Sequence, residues 1–172
     1  MRMRDQEAEA LREHDNNYEA REAARHKYRP EKIRCLLIVE APPDALDRFF
    51  YFEDVQEMDY LYIETMKVIY GNVDVSGLRE RKVEFLQGFM ENGFYLIDAV
   101  NDPIGNDASS HQTKEIVLNS RQDLVERMRT LVTEETRVIL IKASVYKLRD
   151  ALIDDGFNVL NDCMIEFPCC GN

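Results

Sequence analysis

The sequence predicts an α/β fold, a three-layer α/β/α domain around a central four-stranded parallel sheet. Three observations carry this. Four short apolar runs rich in β-formers recur along the chain, helical stretches separate each run from the next, and Pro, Gly or polar clusters punctuate the boundaries. Strands alternating with helices pair in parallel through right-handed crossovers. A length of 172 residues accommodates one such domain with an appendage.

Residues 4–28 are rich in Ala, Glu and Arg, hold no Pro or Gly, and read as a helix ended by Pro30. Its apolar stripe is thin (Ala8, Leu11, Tyr18), the pattern of a helix that docks lightly or reaches toward a protein partner. Residues 1–32 are therefore read as an N-terminal helical appendage and 33–172 as the domain. IRCLLIV (33–39) is the first strand, stopped by the prolines of EAPP. Helices follow over 59–70, ending at Gly71, and over 78–92, with Leu78, Leu86, Phe89 and Met90 near one face and Gly93 as the stop.

FYLIDAV (94–100) is the second strand, and NDPIGNDASSHQT (101–113) a polar loop. Ser120-x-x-Asp123 resembles a capping box and opens a helix that turns Leu124, Met128, Leu131 and Val132 inward. RVILIKA (137–143) is the third strand. Residues 144–155 form a helix with Val145, Leu148 and Leu152 on one face, and FNVLN (157–161) is the fourth strand. A covering helix is expected after the final FPCCGN, beyond residue 172.

Composition narrows the functional classes. No run approaches the ~18 apolar residues of a membrane span, and MRMRDQEAEALREHD lacks the apolar stretch of a signal peptide, so a cytoplasmic protein is expected. Cys35 reads as a small core residue. Cys163, Cys169 and Cys170 form no C-x-x-C motif, which leaves reduced thiols and neither zinc nor an iron–sulfur cluster as the expectation. Net charge is −11. Residues 1–32 hold eight basic and eight acidic side chains, whereas 33–172 hold 14 basic and 25 acidic and carry all of it. That sign disfavours tight, nonspecific binding to a polyphosphate.

In open α/β sheets, ligands bind beyond the carboxyl ends of the strands, where strand order reverses. Glu40 follows the first strand, Asp98 ends the second and Lys142 the third, so two carboxylates and an ammonium aim at one crevice. Glu40 reads equally as a loop-holding group. A buried Asp98 needs a partner, and it reads equally as a structural pair with Lys142 and as a catalytic group, while Lys142 itself reads as an ion-pair partner before anything else. The cluster Phe49, Phe50, Tyr51 and Phe52 reads as core ahead of a stacking platform. His111 belongs to an exposed loop, and His14 and His26 to the appendage. A divalent cation between Glu40 and Asp98 lacks a ligand-rich motif, and no cofactor or metal is expected.

At these same segments the chain resembles the uracil-DNA glycosylase superfamily, from about residue 33 to the end, in order and spacing of motifs. LLIVEAPP is similar to the first motif of the branch carrying Glu-Ala-Pro. FFYF stands where an aromatic packs on the base, GFYLIDAV where a strand ends in the base-recognising asparagine, VILIKASVY at the later apolar strand, and EFPCCGN at the His-Pro-Ser loop. The resemblance implies a sheet with strand 33–39 between 94–98 and 137–142. It also implies that Glu40 positions or activates water, that Tyr51 or Phe52 stacks on the base, that Asp98 contacts the base edge, and that Phe167, Pro168 and Cys169 sit at the minor-groove loop. With Lys142, these give Glu40 and Asp98 as catalytic candidates and Tyr51, Phe52, Lys142 and Phe167 as base-binding candidates.

The departures point away from uracil excision. Val39 stands for the family's glycine, Phe167 for its catalytic histidine and Asp98 for its asparagine. A phenyl ring donates no hydrogen bond to a leaving base, and an ionised carboxylate only accepts. The reading is a divergent DNA-repair-like hydrolase fold with a nucleobase- or nucleotide-sized crevice and weak or no uracil excision. Its ligand would be nucleic acid or a free nucleobase or nucleoside. The alternative is an active glycosylase for a modified or deaminated base, with Glu40 positioning water.

Overall fold

The computed structural model describes residues 2–54, 59–71 and 73–166. The chain forms helix α1 (Arg2–Lys27), strand β1 (Cys35–Val39), helices α2 (Tyr60–Tyr70), α3 (Val75–Glu80) and α4 (Lys82–Glu91), and strand β2 (Phe94–Asp98). Helices α5 (Ser110–Asn119) and α6 (Arg121–Leu131), strand β3 (Arg137–Leu140), helices α7 (Ala143–Tyr146) and α8 (Arg149–Asp154) and strand β4 (Asn158–Val159) complete it. Among the described residues, no helix is long and apolar enough to cross a membrane.

The four strands are parallel in the order β2-β1-β3-β4. β1 is central, with Leu37 level with Leu96 on one side and Ile139 on the other. This is the order the resemblance implied. The flavodoxin-like sheet shares it, so it fixes where a crevice opens and not what happens there. The connection from β1 to β2 and the one from β2 back across to β3 run in opposite directions. Right-handed crossovers then place α2–α4 and α5–α6 on opposite faces, which gives an α/β/α arrangement.

One sheet face holds Leu36, Ile38, Tyr95, Ile97, Val138 and Leu140, all at most 3% exposed. Period-two alternation places Cys35, Leu37, Val39 and Leu96 on the other face, and they are buried too. That second face keeps an apolar groove of about 370 Å³ along Leu37, Phe94, Ile139 and Ile165. The expected C-terminal covering helix lies outside the described residues.

Side chains extend the sheet where strands run out. The Tyr51 hydroxyl accepts from Leu96 N at 2.7 Å and donates to Leu96 O at 3.1 Å, closing the outer edge of β2. The Asn161 amide does the same for β3 beyond the short β4. Its Oδ1 accepts from Leu140 N and its Nδ2 donates to Leu140 O, both at 3.0 Å.

Several local expectations are corrected. The helix expected over 78–92 starts earlier, at Val75, where the Asp74 carboxylate accepts from Gly77 N, and it breaks at Arg81. The expected loop 101–113 ends early. Ser109 caps α5 in a capping box with Gln112, while Ser120 caps nothing and donates its hydroxyl to Ala99 O and Val117 O. The helix expected over 144–155 divides into α7 and α8.

The largest correction concerns α1. Its C-terminal end is sunk into the domain, with Arg21 at 2% and Arg25 at 7% exposure and Tyr28 in the core. A helix docked through arginines presents no apolar stripe, which is why its sequence reads as lightly attached.

Candidate binding site

β1 and β3 are the strands between which connectivity reverses, so their carboxyl ends flank the switch point of the sheet. Glu40 leaves β1 there and Lys142 leaves β3. The Lys142 ammonium donates to Glu40 Oε1, and the Ser144 hydroxyl, two residues on, donates to Oε2. Glu40 is thus held from both oxygens and keeps 13% of its side chain exposed. The sequence offered Lys142 as an ion-pair partner for Asp98; in the structure its ammonium donates to Glu40.

Lys142 has φ 88° and ψ 147°, the only positive φ outside glycine among the described residues. This region of backbone space is close to glycine-only and costs about 1–3 kcal/mol for other residues. Its own N–H, bonded to Ile165 O at 2.8 Å, helps hold it there. The strain aims a charged side chain back over the sheet edge at Glu40.

Asp98 is 3% exposed, and its partner comes from the appendage: Arg25 Nη2 lies 2.6 Å from Asp98 Oδ2. Arg25 also pairs with Glu22 and lies over the Phe49 ring, 5.4 Å from its centroid. Burial pushes the Asp98 pKa up, while Arg25, Arg127 and Arg21 pull against it. Arg127 does so from α6, donating to the carbonyls of Asp98 and Ala99 at 2.9 and 2.8 Å.

Glu40, Asp98 and Lys142 line one crevice of about 190 Å³, together with Phe49, Phe50, Asp59 and Leu96. That is smaller than the roughly 300–1,000 Å³ of pockets for drug-sized ligands, and it suits one planar ring. The structure brings three of the sequence-derived site residues together here. Tyr51 and Phe52 are not on the crevice wall. Tyr51 is 1% exposed and spent on the β2 edge, and Phe52 packs partly buried against the core, so the crevice rings are Phe49 and Phe50. Phe167, with Pro168 and Cys169, lies outside the described residues. Among the described residues no group of His, Cys, Asp or Glu is arranged to hold a metal ion.

A second crevice, of about 370 Å³, adjoins the first across Glu40 and Lys142 and is walled by the start of α5 and by α7. Sequence reasoning did not single out its residues Ser110, Lys114, Ser144 and Lys147, nor Arg25. Ser144 carried one signal, its place two residues after Lys142. Arg25 carried none, since its partner is remote in sequence.

No protein-family model, curated protein or solved structure matches this chain.

Proposed function

We propose that the chain is a divergent uracil-DNA-glycosylase-like protein that binds a nucleobase-bearing ligand in the crevice at the carboxyl ends of the sheet, with weak or no uracil excision. One observation carries the reading. Carboxylates at the ends of two adjacent strands, Glu40 and Asp98, line one ring-sized crevice with Phe49 and Phe50, yet each is already engaged by a cation. A flat ring seated there is shielded from water by a lining that includes Phe49, Phe50, Leu61 and Leu96. A carboxylate committed to an arginine presents little to a base edge, which agrees with Asp98 standing where the resemblance places an asparagine. The stretch of α1 from Arg12 to Glu19, mostly exposed, is the surface on which a protein partner would act.

The fixed orientation of Glu40 favours one second reading, an active glycosylase for another base. There, Glu40 would take a proton as a water oxygen bonds to the sugar carbon and the carbon–nitrogen bond breaks, the base leaving with the bonding electrons. An assay on single- and double-stranded DNA containing uracil, and on DNA carrying other deaminated bases, separates the two. The expected outcome is no product beyond background, with nucleosides still shifting amide resonances of Glu40 and Phe50. Turnover abolished by Glu40→Gln overturns the binding reading in favour of the enzyme. Absence of turnover together with absence of any nucleoside-dependent shift overturns both.

A further inference from the structure

The second crevice runs against the charge of the molecule. The chain has seven lysines and a net charge of −11, yet three of the seven, Lys114, Lys142 and Lys147, line this one concavity. Glu40 is its single carboxylate, and Lys142 and Ser144 already engage it. Lys114 and Lys147, on α5 and just past α7, enter no ion pair or hydrogen bond among the described residues. Two ammonium groups without a counter-charge therefore face the same space from two elements.

The polar groups around them are donors. Ser110 and Thr113 bring hydroxyls that make no hydrogen bond among the described residues. Ser110 is also the first residue of α5. The capping box occupies the N–H groups of Ser109 and Gln112, leaving those of Ser110 and His111 open at the positive end of a ten-residue helix. Lysines, hydroxyls and open amides meeting in one concavity suit a multiply charged, many-oxygened anion. A carboxylate brings one charge. A phosphate monoester brings about −1.5 to −2 at neutral pH and three acceptor oxygens, which matches two ammonium groups.

We propose that this crevice seats one phosphate group, and that the ligand is a nucleoside monophosphate whose base lies in the adjoining crevice beside Phe49 and Phe50. The inference rests on the nucleobase reading for the base half and on the lysine cluster for the phosphate half. The two crevices meet at the Glu40–Lys142 pair, which lines both, so a phosphate seated in one lies beside a base seated in the other. A mononucleotide is favoured over a polymer by the surroundings. Outside Glu40 and the three lysines, residues 33–172 hold 24 acidic against 11 basic side chains and would repel a phosphate chain running on in either direction.

The test is titration of the full chain, followed by calorimetry and amide shifts. The probes are inorganic phosphate, the common nucleosides, their 5′-monophosphates and a single-stranded thymidine decamer. The expected result is that at least one monophosphate binds tenfold or more tightly than its nucleoside. In Lys114→Gln/Lys147→Gln this advantage falls to less than threefold while nucleoside affinity stays the same. Both positions are exposed, so the variant should fold like the parent. Equal affinity for nucleoside and monophosphate overturns the phosphate seat. A decamer binding more tightly than any mononucleotide, through the same lysines, overturns the mononucleotide in favour of nucleic acid. Inorganic phosphate binding lost in the double variant, with no nucleoside bound, upholds the anion seat and overturns the base reading alone.

Discussion

Arg25 Nη2 stands 2.6 Å from Asp98 Oδ2, both side chains at least nine-tenths buried, so the N-terminal helix supplies the counter-charge for a carboxylate at the end of β2. Removing Arg25 takes from Asp98 the counter-charge that hydrogen-bonds it, whereas removing Asp98 leaves Arg25 with Glu22.

Arg25→Ala should therefore destabilise the protein by about 3–5 kcal/mol at neutral pH, a large share of the roughly 5–15 kcal/mol typical of a domain. The loss should shrink as pH falls. Burial already raises the Asp98 pKa, and a carboxyl with a raised folded-state pKa favours the folded state as it takes up its proton. Urea unfolding at pH 7 and pH 4.5 checks both the size and the sign. Arg25→Met combined with Asp98→Leu should recover most of the loss.

The backbone at Lys142 gives a second expectation. Lys142→Gly and Lys142→Ala both remove the ammonium from Glu40, but only alanine keeps a Cβ at φ 88°. The glycine variant should be the more stable of the two by about 1–3 kcal/mol. Equal midpoints and m-values for the pair in denaturant unfolding would mean that no strain resides there.

Lys82 is 2% exposed, its Nζ has no hydrogen-bond partner among the described residues, and it lies 4.4 Å from the centroid of the Tyr62 ring. Burial lowers its pKa to about 8, with Asp59 pulling the other way. Below pH 8 both folded and unfolded chains hold the proton, and the cost of burying the charge is fully present. Between pH 8 and the ordinary lysine value of 10.5, the unfolded chain binds more protons and stability rises with pH. Lys82→Met should stabilise the protein by roughly 1–3 kcal/mol at pH 7, after allowance for the lost cation–π contact. The gap between the variant and the parent should narrow between pH 8 and pH 10.5 in thermal unfolding.

Asn161→Ala should cost about 1–3 kcal/mol, because the N–H and C=O of Leu140 lose the amide that pairs with both past the end of β4. Hydrogen exchange at Leu140 should accelerate selectively, with the Leu36 and Ile38 amides unaffected.

The first three strands were legible because each is built on an apolar run with Pro, Gly or polar residues at its borders, and the residues at their carboxyl ends could be listed for the same reason. The break between α3 and α4 at Arg81 has no Gly or Pro to announce it. The box Ser109-Ser110-His111-Gln112 is present in the sequence, but the helix it opens buries only Val117 and shows no apolar face. Tyr51 could not be told from its aromatic neighbours, since its role depends on where the edge of β2 falls. Arg21 and Arg25, four apart on a charged helix, look like a solvated face, and only the third dimension supplies Asp98.

The separation of Arg25 from Asp98, 73 positions along the chain, also has a bearing on how the molecule comes to be made. Synthesis completes α1 first and exposes its arginines to water until β2 exists and has paired with β1. Contacts that close so long a loop form late, after parallel strands have met. The helix then acts as a latch set at the end of folding: removing Arg25 should speed unfolding by roughly 10²–10³-fold while leaving the refolding rate nearly unchanged.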